Sequence, residues 1–223
     1  MSLSRAALDA ASRRLLSRGS RFKPAVHALE VDGLACVVKD VREVPAWSRG
    51  IARWLMGREE RILRALAGVE GVPQLLEPID RDAFALAVLP GEPLTREAFE
   101  SHPTALADGL RRIIGAMHAC GVYHLDLRQR QNILVDEETV SIVDFGAAWK
   151  PSWLSRWLLA GVFRWVDRQA VLKYVARHAP QDLTREEARS VLRFLRMRRW
   201  WIFSPHNDAG EWQAAQDRLS EES

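Results

Sequence analysis

The sequence predicts an α+β protein of two lobes, a small antiparallel sheet followed by a mostly helical second half. Three observations carry this. Apolar runs of strand length, bounded by Gly and Pro, crowd the first 89 residues; helical periodicity dominates after residue 94; and Leu89-Pro90-Gly91-Glu92-Pro93 breaks the chain between them. The expected division is a first lobe over 1–89, a hinge over 90–93 and a helical lobe over 94–223.

Composition sets outer bounds. A chain of 223 residues with a net charge of +3 can bury a substantial core. Its basicity is carried by arginine, since Lys23, Lys39, Lys150 and Lys173 are the four lysines. The planar guanidinium fork suits phosphate groups. Two cysteines, Cys36 and Cys120, offer neither a disulfide framework nor metal-ligand spacing, which fits a reducing cytoplasm. No apolar run reaches the roughly 20 residues needed to span a bilayer. Residues 1–18 lack the apolar segment of a secretory signal and read as a short helix with Leu8, Leu15 and Leu16 on one face.

Strands follow. Residues 24–31 and 34–40 are expected to pair through Asp32-Gly33, because glycine accepts the positive φ of a tight hairpin. Residues 58–67 set Ile62, Leu63 and Leu66 on one helical face, with Glu59 at its edge and Glu60 turned further to solvent. That helix ends near Gly68 or Gly71, and Val72-Pro73 opens the next strand. Phe84 to Leu89 is a further strand. Beyond the breaker, Thr104 is the expected cap of a helix burying Leu106, Leu110, Ile113, Ile114 and Met117, with His118 structural and Gly121 past its end.

Residues 122–146 organise the rest. Two short strands, 133–135 and 140–143, flank a turn at 136–138, with Asp126, Asn132 and Asp144 at their outer ends. Carboxylates and an amide so gathered suit phosphoryl transfer, which needs one carboxylate near an accepting hydroxyl and oxygen ligands for Mg²⁺.

The series His124-x-Asp126-Leu127, Asn132-Ile133-Leu134-Val135 and Val143-Asp144-Phe145-Gly146 resembles the protein-kinase-like superfamily. The resemblance implies a two-lobed kinase-like fold binding ATP and Mg²⁺. It implies Asp126 as catalytic base, His124 as the brace of its loop, and Asn132 and Asp144 as metal ligands. It also makes Lys39 the strand lysine on the phosphates, paired with Glu59, and makes Leu89 and Gly91 the hinge around the adenine. Asn132 lies six residues after Asp126 where the family has five, so Gln131 rivals it as ligand. Leu125 replaces an arginine used by many regulated kinases, no Gly-x-Gly-x-x-Gly occurs, and Ser17-Arg18-Gly19-Ser20 is the candidate phosphate turn.

The long activation segment expected after Gly146 is missing. Instead, residues 153–166 are Trp- and Leu-rich and either bury in the helical lobe, the plainer reading, or lie in a lipid interface. Thr184-Arg185-Glu186-Glu187 is a capping box, and Arg185, Arg189, Arg193 and Arg196 then form a basic stripe running into Arg198-Arg199-Trp200-Trp201. The stripe fits a solvated face or a phosphate-rich partner, and no motif for reading nucleic acid accompanies it. From Ser204 the composition turns polar, and residues 221–223 are expected to fray.

The short chain and basic-aromatic tail are most similar to bacterial lipopolysaccharide core sugar (Kdo/heptose) kinases and RIO-like small kinases. That resemblance implies a phosphotransferase at the inner membrane face with a lipid-linked sugar as acceptor. Its alternatives are a serine/threonine protein kinase and a non-catalytic kinase-like binding module.

Overall fold

In the computed structural model, which describes residues 4–31, 33–198 and 209–220, the first half is built on five strands. These are β1 (Arg13–Ser17), β2 (Ala25–Val31), β3 (Leu34–Asp40), β4 (Leu75–Asp80) and β5 (Ala83–Ala87), antiparallel in the order β1-β2-β3-β5-β4. Side chains alternate across the sheet, and both faces are used. Cys36 and Val38 join Leu29, Val31, Ala83 and Ala85 in a small core closed by Leu8 of α1 (Arg5–Ala10). Val37 and Lys39 take the opposite face of β3, toward α2 (Arg49–Ala65).

The second half carries α3 (Arg96–Ser101), α4 (Pro103–Ala119), α5 (Trp153–His178), α6 (Arg185–Arg198) and α7 (Ala209–Ser220). A small sheet of β6 (Glu92–Pro93), β7 (Ile133–Asp136) and β8 (Thr139–Ile142) lies among them. One large apolar core joins the halves. It runs from Met56 and Leu63 on α2 through Phe84 and Leu86 to Leu110 and Met117 on α4, Ile133 and Ile142 of the hairpin, and Val171 on α5. The β7–β8 hairpin turns at Glu137, whose φ is +50°, and presents its open end toward the sheet-bearing half.

Several expectations give way. The N-terminal helix stops at Ala10, leaving Leu15 and Leu16 exposed on β1. A six-residue helix gains little from propagation, whereas β1 satisfies the edge of β2, and Arg13 donates to the Leu8 carbonyl at the helix end. Helix α2 begins at Arg49, nine residues before the expected start. Its buried stripe, Ala52, Met56, Glu59, Ile62 and Leu63, is masked in sequence by the exposed Ile51 and Trp54.

Thr104 is not a cap. It lies inside α4, behind Pro103 at the first turn, and donates to Asp182 at 2.7 Å. The capping threonine is Thr95, which accepts from the Ala98 N–H at the start of the unforeseen α3. The Thr184–Glu187 box forms reciprocally as expected. The strand expected to Leu89 ends at Ala87.

Burial of residues 153–166 holds only at the end of the segment, where Phe163 packs on Tyr123 and Trp165 on Phe194; the first turns of α5, with Trp153, Trp157, Leu158 and Val162, stand in solvent. The stripe residues Arg189, Arg193 and Arg196 occupy the solvated face of α6. Asp32 of the expected hairpin turn, Arg199-Trp200-Trp201 and the terminal residues 221–223 lie outside the described residues. Among the described residues no helix is long and apolar enough to cross a membrane.

Gly91 fixes the link between the halves. Its φ is +101°, and a Cβ there would stand 2.5 Å from the Val135 carbonyl oxygen, in the strand that pairs with β6. Backbone cannot yield as a flexible side chain does. Gly91→Ala is therefore expected to lower unfolding stability by about 2 kcal/mol or more, read as a shift of the urea midpoint without a change in slope.

Candidate functional site

Lys39 and Glu59 meet between β3 and α2. Lys39 Nζ donates to Glu59 Oε1 at 2.6 Å and to Asp144 Oδ1 at 3.1 Å. Glu59 is buried, while Glu60 faces outward and pairs with Arg64, so the helix presents the glutamate expected from its apolar face. Burial works against the Lys39 charge, but the two carboxylates outweigh it and hold the ammonium above its ordinary range. Burial likewise opposes ionisation of Asp144. Lys39, then Lys23 and the Gly146 N–H, overcome this and keep the carboxyl below its usual value.

Asp144 adopts φ +61°, ψ +71°, a left-handed conformation that Asp tolerates better than most residues. This bend lets the carboxylate turn to Lys39 while the next residue, Phe145, buries edge-on against His124 at 4.9 Å. Gly146 is tied to α2, its carbonyl accepting from Arg58.

Asp126 stands in the loop before β7. Its Oδ2 accepts from Gln129 Nε2 at 2.6 Å, with Asn132 Nδ2 at 3.4 Å. Asn132 is buried at the end of a short 3-10 turn and donates to the Asp126 carbonyl at 3.0 Å, which turns its amide oxygen away from that bond. Gln131 points outward to Gln129. The extra residue is thus absorbed by the turn, and Asn132, not Gln131, sits with Asp126.

His124 is fully buried and bridges two segments. Nε2 lies 3.0 Å from the Val143 carbonyl, and Nδ1 lies 3.4 Å from the Asp126 N–H. A carbonyl only accepts and an N–H only donates, so these partners select the neutral ring protonated on Nε2. Burial pushes its pKa down in agreement. Expected among the catalytic residues, His124 reaches no open surface and acts as a positioning residue.

Two supports of this loop escaped the sequence reading. Asp167 of α5 is buried, accepting from the His124 N–H at 2.9 Å and the Leu125 N–H at 2.7 Å, with His118 Nε2 at 2.9 Å from the same carboxylate. Leu125 has φ +65°, a costly conformation for a branched side chain, and this buried carboxylate holds it. The signal was available: Asp167 is the first acidic residue after Asp144, in an apolar helix. Tyr174, its phenol pushed up to about 12 by burial, donates to the carbonyls of Leu127 and Arg128.

The candidate phosphate turn, Ser17 to Ser20, starts the β1–β2 connection. Gly19 packs where a Cβ would meet Lys23 O and Ala25 N at 3.0 Å, and the turn is closed by Ser20 N–H to the Lys23 carbonyl. From this connection Lys23 adds its charge to the field at Asp144. Two of the four lysines therefore act on one carboxylate. Leu89 and Gly91 follow β5 at the junction of the halves, and among the described residues no loop hydrogen bond engages their main chain.

Among the described residues no group of three or more His, Cys, Asp or Glu forms a metal-ligand cluster. Asp144 and Asn132 supply one carboxylate and one amide oxygen. Such a set fits Mg²⁺, which is commonly held by one or two protein oxygens together with phosphates and water. No protein-family model matches the chain, and no curated protein matches it.

The lowered pKa of His124 gives a pH dependence. Below about pH 6.5 the unfolded chain takes up a proton that the folded chain resists, so this contribution is present above the unfolded pKa and is lost as pH falls through it. Urea midpoints should drop between about pH 7 and pH 5, and His124→Asn should flatten that part of the curve. An unchanged slope would remove the assignment of a buried neutral ring.

Proposed function

We propose that the chain adopts a two-lobed protein-kinase-like fold and works as an ATP- and Mg²⁺-dependent phosphotransferase acting on a hydroxyl. The observation that carries this reading is the Lys39 ammonium held between Glu59 and Asp144, beside a loop that presents Asp126 and Asn132 together. A structural salt bridge needs no second carboxylate from a left-handed turn, nor a neighbouring loop strained to display another.

In this reading Lys39, fixed by Glu59, donates to phosphate oxygens, with Lys23 adding positive charge at the loop side. Main-chain groups of Leu89 and Gly91 receive the adenine edge. Asp144 and Asn132 hold Mg²⁺, which when bound neutralises charge on the phosphates. Asp126, with Oδ2 engaged by Gln129, directs Oδ1 to the acceptor hydroxyl and accepts its proton as the oxygen forms its bond to the γ-phosphorus, while the bond from that phosphorus to the β,γ-bridging oxygen breaks and ADP leaves. His124, Asp167 and Tyr174 keep that carboxylate in place, so little reorganisation accompanies transfer.

The acceptor we favour is a hydroxyl of a lipid-linked sugar, as in lipopolysaccharide core, on the cytoplasmic side of the membrane. Only residues 148–152 separate the short helical turn after Asp144 from α5. That brevity leaves little chain beside Asp126 to align an extended peptide. Serine or threonine of a protein is the second acceptor, because the same carboxylate serves either hydroxyl.

The purified chain should turn over labelled ATP in the presence of Mg²⁺, and Asp126→Asn or Asp144→Asn should reduce turnover by about 100-fold or more. Equal background in all three proteins would identify a non-catalytic nucleotide-binding or interaction module instead. With a panel of lipid-linked sugars, free sugars and protein extracts, label is expected in the lipid-linked fraction. Label confined to protein would overturn that acceptor and leave the phosphotransferase reading standing.

A further inference from the structure

The first three turns of α5 project from the body of the protein. Trp153 and Trp157 are each 83% exposed, Leu158 63% and Val162 54%, and Leu159 is exposed as well. At 100° per residue these positions lie around most of the helix circumference, so this is a spur with apolar surface on nearly every side. A helix that is apolar all round belongs in a protein core or in lipid, and among the described residues nothing buries this one.

The spur is continued by a rim of aromatic side chains along the sheet-bearing half. Trp149, just before α5, and Trp54 on α2 both stack on the Arg58 guanidinium, at 5.9 and 5.8 Å. Ile51 extends the exposed face of α2 by one turn, and Trp47, just before the helix, meets Phe22 of the β1–β2 connection edge-on at 5.6 Å. The rim thus runs from the candidate phosphate turn, past the segment after Asp144, to the spur.

Charge identifies what would cover it. Residues 44–58 and 145–166 contain no Asp or Glu in a chain that has 29, yet they carry Arg49, Arg53, Arg58, Lys150, Arg156 and Arg164. Arg53 is matched by Asp82, and the remainder leave the rim positive. Tryptophan sits at headgroup depth in bilayers, and basic side chains beside it attract anionic lipid.

We propose that the rim and spur dock the protein on an anionic lipid bilayer, with the spur entering the headgroup layer and the segment after Asp144 lying at the membrane surface. This inference deepens the proposed function by placing its acceptor at the lipid, and rests on that reading for the acceptor alone. Docking itself requires no catalysis.

Sedimentation of the full chain with vesicles tests it. Binding is expected to vesicles of phosphatidylcholine with phosphatidylglycerol, to weaken with added salt, and to fall about tenfold or more in the double variant Trp153→Ser, Trp157→Ser, since the lost interfacial contacts amount to more than about 1.4 kcal/mol. Circular dichroism of that variant should match the parent, because both rings are in solvent. Asp126→Asn should bind vesicles like the parent, which separates docking from turnover. Parent protein that ignores anionic vesicles, or binds them equally with and without the two tryptophans, would overturn the proposal. So would self-association or complex formation with a protein that depends on these tryptophans while vesicles remain unbound.

Discussion

An ammonium taken out of water is tolerated only where negative charge meets it, and Lys39 is met from two remote parts of the chain. Glu59 comes from a helix 20 residues on, and Asp144 from a hairpin 105 residues on. Satisfying one lysine therefore requires the sheet, α2 and the second half to be assembled together. Removing either member of the buried Lys39–Glu59 pair strands its partner, a loss on the order of 3 kcal/mol when a buried ion pair is broken from one side. Asp144 is the less buried carboxylate. Of the two it is the one able to exchange Lys39 for another cation without leaving a charge stranded in the core.

The opposite side of the site is governed by backbone conformation. Leu125 and Asp144 both have positive φ, flanking His124 and Phe145, which pack on each other. Such residues persist only where the surroundings over-determine them. Asp167 supplies that constraint for Leu125 through two main-chain bonds, while Asp144 is fixed by Lys39 and the Gly146 N–H. The two loops are thus anchored to different elements, one to α5 and the other to β3 and α2.

What could be read in the sequence follows the range of the interactions. The hairpins and the choice of Glu59 over Glu60 depend on local periodicity and turn chemistry, and these are legible in order along the chain. The start of α2 was hidden because its outer face carries Ile51 and Trp54, so apolar residues occur all round and the period is lost. Thr95 and Thr104 are equally good caps by type. Pro103, which suits a first helical turn, and Asp182, 78 residues away from Thr104, decide between them. Asp167 and Lys23 were missed for a related reason. Their partners lie 42 and more residues away, and nothing in their immediate sequence states what they face.

The same reasoning explains why residues 153–166 misled. Composition measures how apolar a segment is, and cannot distinguish the solvent it meets. In the native chain α5 changes character along its length. Its second half, from Asp167, buries Val171, Tyr174 and Val175 against α3 and α4 and brings Asp167 to the His124–Leu125 backbone. Its first turns stand in solvent. One rigid helix therefore fixes the loop bearing Asp126 at one point and projects tryptophans from the protein at another. Because an α-helix rises only 1.5 Å per residue, the ten residues from Trp157 to Asp167 separate these points by about 15 Å. In the proposed reading a surface gripped by the spur would then lie at a set distance from the reacting carboxylate, a geometry suited to an acceptor confined to that surface rather than one arriving freely from solution.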